Sequence, residues 1–538
     1  MKKLFFIVLI YCSNAVFAQI PPPKLIVQIV IDQFRGDLIH QYQNKFGPDG
    51  FNYLLRNGID FSNTHHPHAN TVTCVGHATI ATGSYPSLHG IIANGWFDRQ
   101  MQKGTYCVED LTTEILPTSR TKINLAGRSP KNLQTSTISD EIVLAKKGQA
   151  FGISLKDRAA IMLAGHAGKA FWFDKKNGGF VTSNYYYASY PKWVENWNHT
   201  YTDNNQPWTL SRELKNYRFA TAPLFKNRFT GFGQTFPHYL GSANDKFYYK
   251  YLSMTPYADE LTANFAMQLL SYENLGQSVN QTDYLGISFS ATDAIGHQFG
   301  PNSLESEDNL LRLDNTLAKL LKAIDRQVGL RNTLIILTAD HGVTDSPAYL
   351  TAHHFQQVPP LNKNDIRNAI VSLLAKQFNL PAATLQALTP PYLYLDQQII
   401  TDHQLSLRRV STALAEMLRH KPGIFQAYPL PMSNIEKNWL SAKVDKMASY
   451  RAGDIYIVPP PYQSLPHVVR VNHGTPWQYD SYVPLVFTSP GFKARQTSRP
   501  ASTTDIAPTL AAILKIKFPS GAVGKPLPEI TNFYETNA

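Results

Sequence analysis

Lys24-Leu-Ile-Val-Gln-Ile-Val-Ile31, stopping at Asp32, is a nearly continuous run of β-branched and apolar residues. A strand without polar alternation is buried on both sides, the mark of a parallel sheet covered by helices. The same grammar returns twice. Asp283-Tyr-Leu-Gly-Ile-Ser-Phe-Ser290 runs into Ala291-Thr292-Asp293, and Thr333-Leu-Ile-Ile-Leu-Thr-Ala339 runs into Asp340-His341-Gly342. Between them, residues 304–328 set Leu310, Leu311, Leu313, Leu317, Leu320 and Leu321 at helical spacing, as a helix lying on a sheet requires. The pattern predicts an α/β three-layer sandwich with a mostly parallel central sheet. Ligands of such sheets gather beyond the carboxyl ends of the strands, so three strands that run into aspartate predict one acidic crevice.

Asp293 and His297 are four apart, a spacing that one helical turn brings to one face, and Asp340-His341 follows a strand end. A lone Asp-His pair is ordinarily a cap or a surface hydrogen bond. Asp32, Asp293, His297, Asp340, His341 and His473 together offer the mixed carboxylate and imidazole donors of two zinc sites. Asn70-Thr-Val-Thr-Cys-Val-Gly-His-Ala-Thr-Ile-Ala-Thr-Gly83 reads as a loop entering a helix, with Thr73 near its start. Thr73 there is either a plain N-cap or a hydroxyl nucleophile, the Cys74 amide binding a phosphoryl oxygen at the positive end of the helix. After the strand-like Ala150-Phe-Gly-Ile-Ser154, Lys156 and Arg158 stand two apart in Leu155-Lys-Asp-Arg158. On an extended segment both cations share a face and can meet a dianionic phosphate monoester. The competing reading is undirected surface charge.

These segments resemble the alkaline phosphatase superfamily, in the branch that joins nucleotide pyrophosphatase/phosphodiesterases to the monomeric, threonine-nucleophile alkaline phosphatases. The resemblance covers almost the whole chain. It rests on Ile31-Asp32, Thr73-Cys-Val-Gly-His77, Thr82-Gly-Ser-Tyr-Pro-Ser-Leu-His-Gly90, Thr292-Asp-Ala-Ile-Gly-His297, Ala339-Asp-His-Gly342, Asn472-His-Gly474 and Thr504-Asp-Ile-Ala-Pro-Thr509. It implies one zinc on Asp293, His297 and His473, a second on Asp32, Thr73, Asp340 and His341, and hydrolysis of phosphate monoesters to inorganic phosphate through phospho-Thr73. It also implies that Lys156, Arg158 and Asn94, in Ala93-Asn-Gly-Trp96, bind phosphate oxygens and that the protein is a monomer.

Departures narrow the branch. Diesterases usually follow their nucleophile with Phe-Pro-Asn-His, whereas Thr73 is followed by Cys-Val-Gly-His. Cys74-Val-Gly-His-Ala78 lacks the proline and arginine of a sulfatase motif. Cys74 itself is left open between packing, pairing with Cys107 and tuning the site. Two other functions remain: a phosphodiesterase or nucleotide pyrophosphatase with the same metals, and a catalytically silent phosphate-binding protein, against which an intact Thr73 and a full ligand set argue.

Met1-Lys2-Lys3, the apolar residues 4–11 and Ala15-Val-Phe-Ala18 before Gln19 follow the order of a secretory leader, which predicts cleavage near Ala18 and a periplasmic or secreted protein. The apolar run is short of the roughly 20 residues that span a bilayer, and the bulky Tyr11 before Cys12 disfavours lipidation, so no membrane anchor is expected. The formal charge of +11 falls by two with the leader and favours anionic substrates weakly. No Lys/Arg block interleaved with aromatics marks a dedicated nucleic-acid partner. Residues 19–538 are expected to form one catalytic domain. Two segments of weak or mixed periodicity, about 187–248 and 359–460, are expected as cap insertions over the site.

Overall fold

The computed structural model describes residues 21–119, 126–201, 206–222, 230–355, 361–432, 438–463 and 471–535; the expected leader, residues 1–18, lies outside them. Strands β1 (Leu25–Ile31), β2 (Gly58–Phe61), β3 (Ala150–Ser154), β4 (Lys169–Phe173), β5 (Phe180–Val181), β6 (Asp283–Phe289), β7 (Thr333–Thr338), β8 (Leu485–Thr488) and β9 (Arg495–Thr497) form one sheet. Their order is β5-β4-β3-β6-β1-β7-β8-β2-β9. Strands β4, β3, β6, β1 and β7 run parallel, and β5 and β8 run against their neighbours.

The central strand explains its own sequence. Leu25, Val27, Ile29 and Ile31 of β1 share a core with Leu317, Leu320 and Ile324, while Ile26 and Val30 point the other way, against Ile80 and Leu510. Each such side chain, fully buried, contributes roughly 1.5–3 kcal/mol. Four helices matter for the site: α1 (Thr73–Thr82), α2 (Asp157–Ala164), α3 (Ala291–Phe299) and α4 (Leu304–Gln327). Among the described residues no helix is long and apolar enough to cross a membrane.

Register sets the site. Val30 lies opposite both Ser288 and Thr338, and Ser288 opposite Ser154. Continued past those pairs, Lys156, Ser290, Asp32 and Asp340 stand abreast across β3, β6, β1 and β7. The Asp32 amide still donates to Phe289 O at 2.9 Å, so the row holds beyond the end of β1.

Two local expectations are corrected. Asp293 is not at a strand end: β6 stops at Phe289, Ser290 is the N-cap of α3, and Asp293 lies in the first helical turn. Nor are Lys156 and Arg158 on an extended segment. Lys156 is the N-cap of α2 and Arg158 is in its first turn, because the Ala159 and Ala160 amides already donate to Lys156 O in a run that favours helix.

In the 359–460 insertion, helices Lys363–Phe378 and Leu407–Arg419 pack on a four-stranded antiparallel sheet that includes Tyr392–Leu395 and Ile455–Val458. Leu393, Leu395 and Ile457 face those helices. Tyr392, Tyr394 and Tyr456 face a cluster that contains Cys74, Val75 and Ala78 of α1. The described part of 187–248 is tied to α4, through Trp208 Nε1–H to Asp308 Oδ2 at 2.7 Å and Tyr217 O–H to Asp308 Oδ1 at 2.6 Å.

Candidate active site and metal centre

Val72, extended, caps α1 without a side-chain bond, so Thr73 is the first helical residue rather than the cap. Its hydroxyl oxygen accepts from Lys156 Nζ and from Arg158 Nη2, each at 3.4 Å. Cations beside a hydroxyl favour its ionised form. The Cys74 amide, expected to meet phosphate, instead donates to Asn94 Oδ1 at 2.9 Å. The helix-end donor therefore positions Asn94 and leaves its NH2 as the group without a protein partner among the described residues. The cysteine question is closed as well: Cys74 and Cys107 form a disulfide.

Arg158 is held from below. Its Nη1 donates to Tyr106 O–H at 3.3 Å, the Tyr106 hydroxyl donates to Asp157 Oδ1 at 2.6 Å, and Arg128 Nε–H donates to Asp157 Oδ2 at 2.8 Å. Arg158 Nε is buried and bonds to nothing among the described residues, which leaves a donor for an anion. Lys156, 4% exposed, is differently engaged. Its Nζ lies 2.5 Å from Asp32 Oδ2 and 2.6 Å from Asp293 Oδ2, so it serves the carboxylate row as well as Thr73.

The acidic and imidazole groups fall into two overlapping buried clusters, Asp293-His341-His473 and Asp32-Asp340-His341, each with donor atoms within 4.8 Å of one another. His297 Nε2 approaches Asp293 Oδ1 at 3.1 Å from the rim, where its side chain is 37% exposed. All three histidines use Nδ1–H on a backbone carbonyl: His297 on Val471 O at 3.0 Å, His341 on Gly342 O at 2.9 Å, His473 on Thr71 O at 2.9 Å. Each Nε2 lone pair is thereby turned toward the carboxylates, the orientation that metal-ligating histidines share.

The field at this centre calls for cations. Burial alone would raise the Asp32 carboxyl, but Lys156 and His341 hold it below the ordinary range. Burial is likewise overcome at Asp293, by His297 and Lys156. Asp340 is raised by burial and by Asp32. Burial would lower His341, yet Asp340 and Asp32 push it up to about 9; burial and His341 lower His473 to about 3. Asp32 Oδ1, Asp340 Oδ2 and His341 Nε2 are buried without a hydrogen bond. Such a set is costly unless a cation meets it, and its mixture of oxygen and nitrogen donors fits zinc.

Sequence reasoning missed two side chains that touch this set. Gln33, at φ 65°, donates its amide to Asp340 Oδ1 at 3.2 Å and its Nε2 to Asp293 Oδ1 at 2.8 Å. Gly296 makes room for it, since a Cβ there would lie 1.9 Å from Gln33 Oε1. Adjacency to Asp32 was the available signal. The other is His77, read in the sequence only as part of the Thr73-Cys-Val-Gly-His77 motif; its Nδ1 meets Thr73 O four residues back, but its Nε2 partner, Ser288, lies 211 positions away.

A family model described as type I phosphodiesterase / nucleotide pyrophosphatase matches residues 26–467. The chain belongs to that family. This family member is 35% identical over 540 residues to the alkaline phosphatase PafA of Elizabethkingia meningoseptica, covering 95% of each chain. To the alkaline phosphatase PhoV of Synechococcus elongatus it is 32% identical, covering 97% of this chain and 98% of the other. The crystal structure of wild-type PafA matches with a TM-score of 0.84 at 32% identity, over 95% of this chain and 99% of that one. A second PafA structure, TM-score 0.85 at 31% identity over the same shares, is of a variant altered at one threonine, one asparagine, one lysine and one arginine. By full-length likeness the type I phosphodiesterase family member is an alkaline phosphatase homologue, with the α/β sandwich and the mostly parallel sheet that the sequence predicts.

Proposed function

We propose that this chain is an exported alkaline phosphatase that hydrolyses phosphate monoesters through a phospho-Thr73 intermediate. The observation that carries the proposal is the convergence of Lys156 and Arg158 on the Thr73 hydroxyl, beside two buried Asp/His clusters. The altered threonine, asparagine, lysine and arginine of the PafA variant have the same spacings along the chain as Thr73, Asn94, Lys156 and Arg158.

In this reading Asp293, His297 and His473 would hold one zinc ion and Asp32, Thr73, Asp340 and His341 a second, and bound metal would supply Lewis-acid charge that eases ionisation of a hydroxyl or water. The chain's own residues do the rest. Thr73, at the start of α1, attacks phosphorus in line, its P–O bond forming as the ester P–O bond opposite breaks and the leaving alkoxide takes a proton and departs as the alcohol. Arg158, Lys156 and the Asn94 NH2 meet the equatorial oxygens, where preorganised donors stabilise the charge of the transition state. Water then attacks phospho-Thr73 and inorganic phosphate leaves. A monoester carries one more negative charge than a diester at these oxygens, and two cations suit the larger charge. The described parts of 187–248 and 359–460 would serve as the cap over the site. Export follows from the leader and agrees with a disulfide, which persists in an oxidising compartment.

The test compares initial rates on p-nitrophenyl phosphate and bis-p-nitrophenyl phosphate after EDTA treatment, with and without zinc. Wild type should prefer the monoester and need zinc. Arg158→Ala should lose about 100- to 1,000-fold on the monoester and much less on the diester. A diester preference in wild type, or equal losses in the variant, would refute the monoesterase reading; no turnover at all would leave a phosphate binder.

A further inference from the structure

His77 takes no part in the chemistry above, yet it is wholly buried between the nucleophile and a metal-cluster carboxylate. Its Nδ1 lies 2.8 Å from Thr73 O and 3.3 Å from Asp340 Oδ2. A carbonyl only accepts, so Nδ1 carries the proton and Nε2 the lone pair. Ser288 Oγ, 2.9 Å from Nε2, is therefore the donor. From Ser288 the polar contacts continue inward: Ser288 Oγ to Ser290 Oγ at 3.5 Å, Ser290 Oγ to Ser154 Oγ at 3.1 Å, and the Lys156 amide to Ser154 Oγ at 3.0 Å. All three serines are buried. The path runs from Asp340 beyond β7, through α1, across β6 and β3, to Lys156, the residue whose Nζ meets the Thr73 hydroxyl. The neighbouring residue closes the gap, since a Cβ on Gly76 would come within 2.0 Å of Asp340 O. Helix α1 thus lies directly on the backbone that carries Asp340 and His341.

We infer that His77 is a positioning residue that sets Thr73 and the Asp340 carboxylate at a fixed separation and ties both to Lys156 through the buried serines. The geometry favours this over a passive core histidine. A core imidazole needs only to satisfy its two nitrogens, whereas here the N–H that donates to the nucleophile's own carbonyl also lies 3.3 Å from a buried carboxylate oxygen that has no hydrogen bond. Groups that orient metal ligands commonly change metal affinity by 10- to 100-fold when removed, and a displacement of 1 Å at a reacting group costs on the order of 100-fold in rate. The inference rests on Thr73 as nucleophile, and its test separates the two.

The experiment compares His77→Ala, His77→Asn, His77→Gln and Ser288→Ala as full-length proteins, each read for kcat and KM on p-nitrophenyl phosphate and for zinc affinity by competition with a chromogenic chelator. An asparagine amide presents its NH2 at the reach of Nδ1; a glutamine amide carries it one bond too far. His77→Ala should lower kcat by about 100-fold with KM changed far less, and weaken zinc binding by about 10- to 100-fold. His77→Asn should recover at least about ten-fold of each, and Ser288→Ala should fall between it and wild type. Wild-type kcat and zinc affinity in His77→Ala would overturn the inference. So would asparagine impaired as badly as glutamine, a comparison that decides the matter even if the alanine variant does not fold. If Thr73→Ala kept full turnover, Thr73 would not be the nucleophile, and the inference that rests on it would fall too; loss of turnover in Thr73→Ala with no kcat loss in His77→Ala would sink the inference alone.

Discussion

Lys156→Ala isolates the double duty of one buried cation. Its ammonium lies 2.5 Å from Asp32 and 2.6 Å from Asp293, with the lysine side chain 4% exposed and the two carboxylates 0% and 7%. Removing one partner from a buried ion pair costs about 3–5 kcal/mol, because the other is left uncompensated. In EDTA the variant should therefore unfold in urea with about 3–5 kcal/mol less stability than wild type. Zinc binds the native state alone and adds about 2.7 kcal/mol at a hundred-fold excess over its dissociation constant. Because the variant's carboxylates no longer hold an ammonium that competes for them, zinc should stabilise the variant more than wild type, and the gap should narrow. Urea titrations followed by tryptophan fluorescence, with EDTA and with excess zinc, measure both gaps. An equal gap under both conditions would refute the reasoning, since it would mean that Lys156 contributes packing and not the charge that Asp32 and Asp293 require.

Gly296→Ala should push Gln33 off Asp293 and lower zinc affinity and kcat/KM by about 10- to 100-fold, measured by chelator competition and steady-state kinetics. Loss of the Cys74–Cys107 disulfide, by Cys74→Ser with Cys107→Ser, should cost roughly 3–4 kcal/mol on chain entropy for a separation of 33 residues, and urea unfolding with and without dithiothreitol checks it. The Asp140–His166 pair gives a signed pH dependence. Burial opposes the charge at both, but Asp140 is lowered by His166 and backbone N–H donors, and His166 is raised by Asp140. Asp140 then stabilises above its ordinary value of 3.8 and loses this as pH falls through its depressed pKa; His166 stabilises below 6.5 and loses it as pH rises through its elevated pKa. The stability difference between wild type and His166→Gln should be greatest between those limits and fade as pH rises past the His166 pKa, as urea midpoints across pH will show.

Much of the site was legible because its residues are tied to local periods. β1, β6 and β7 announce themselves as apolar runs, and the Asp293/His297 spacing is one helical turn. Thr73 was legible as a helix start, though not as the first helical residue. Lys156 and Arg158 were legible as a pair but not in geometry, since the helix begins between them rather than after them. The roles of Gln33 and His77 were not legible, although one adjoins Asp32 and the other stands in the Thr73-to-His77 motif. Their partners, Asp293 and Asp340 for one and Ser288 and Asp340 for the other, lie hundreds of positions away.

The amino-acid sequence by itself determined the apolar strands and the α/β sandwich, and it put the candidate aspartates just past the strands, because burial on both faces and helical spacing are written in contiguous residues. The tertiary structure alone decided the rest. Sheet order β3-β6-β1-β7 sets Lys156, Ser290, Asp32 and Asp340 in one row, turns Lys156 onto two carboxylates, gives the Cys74 amide to Asn94 and joins Cys74 to Cys107. No local period encodes which strand lies beside which. That choice follows from how the whole chain buries its apolar faces, and the contacts that hold the site depend on it.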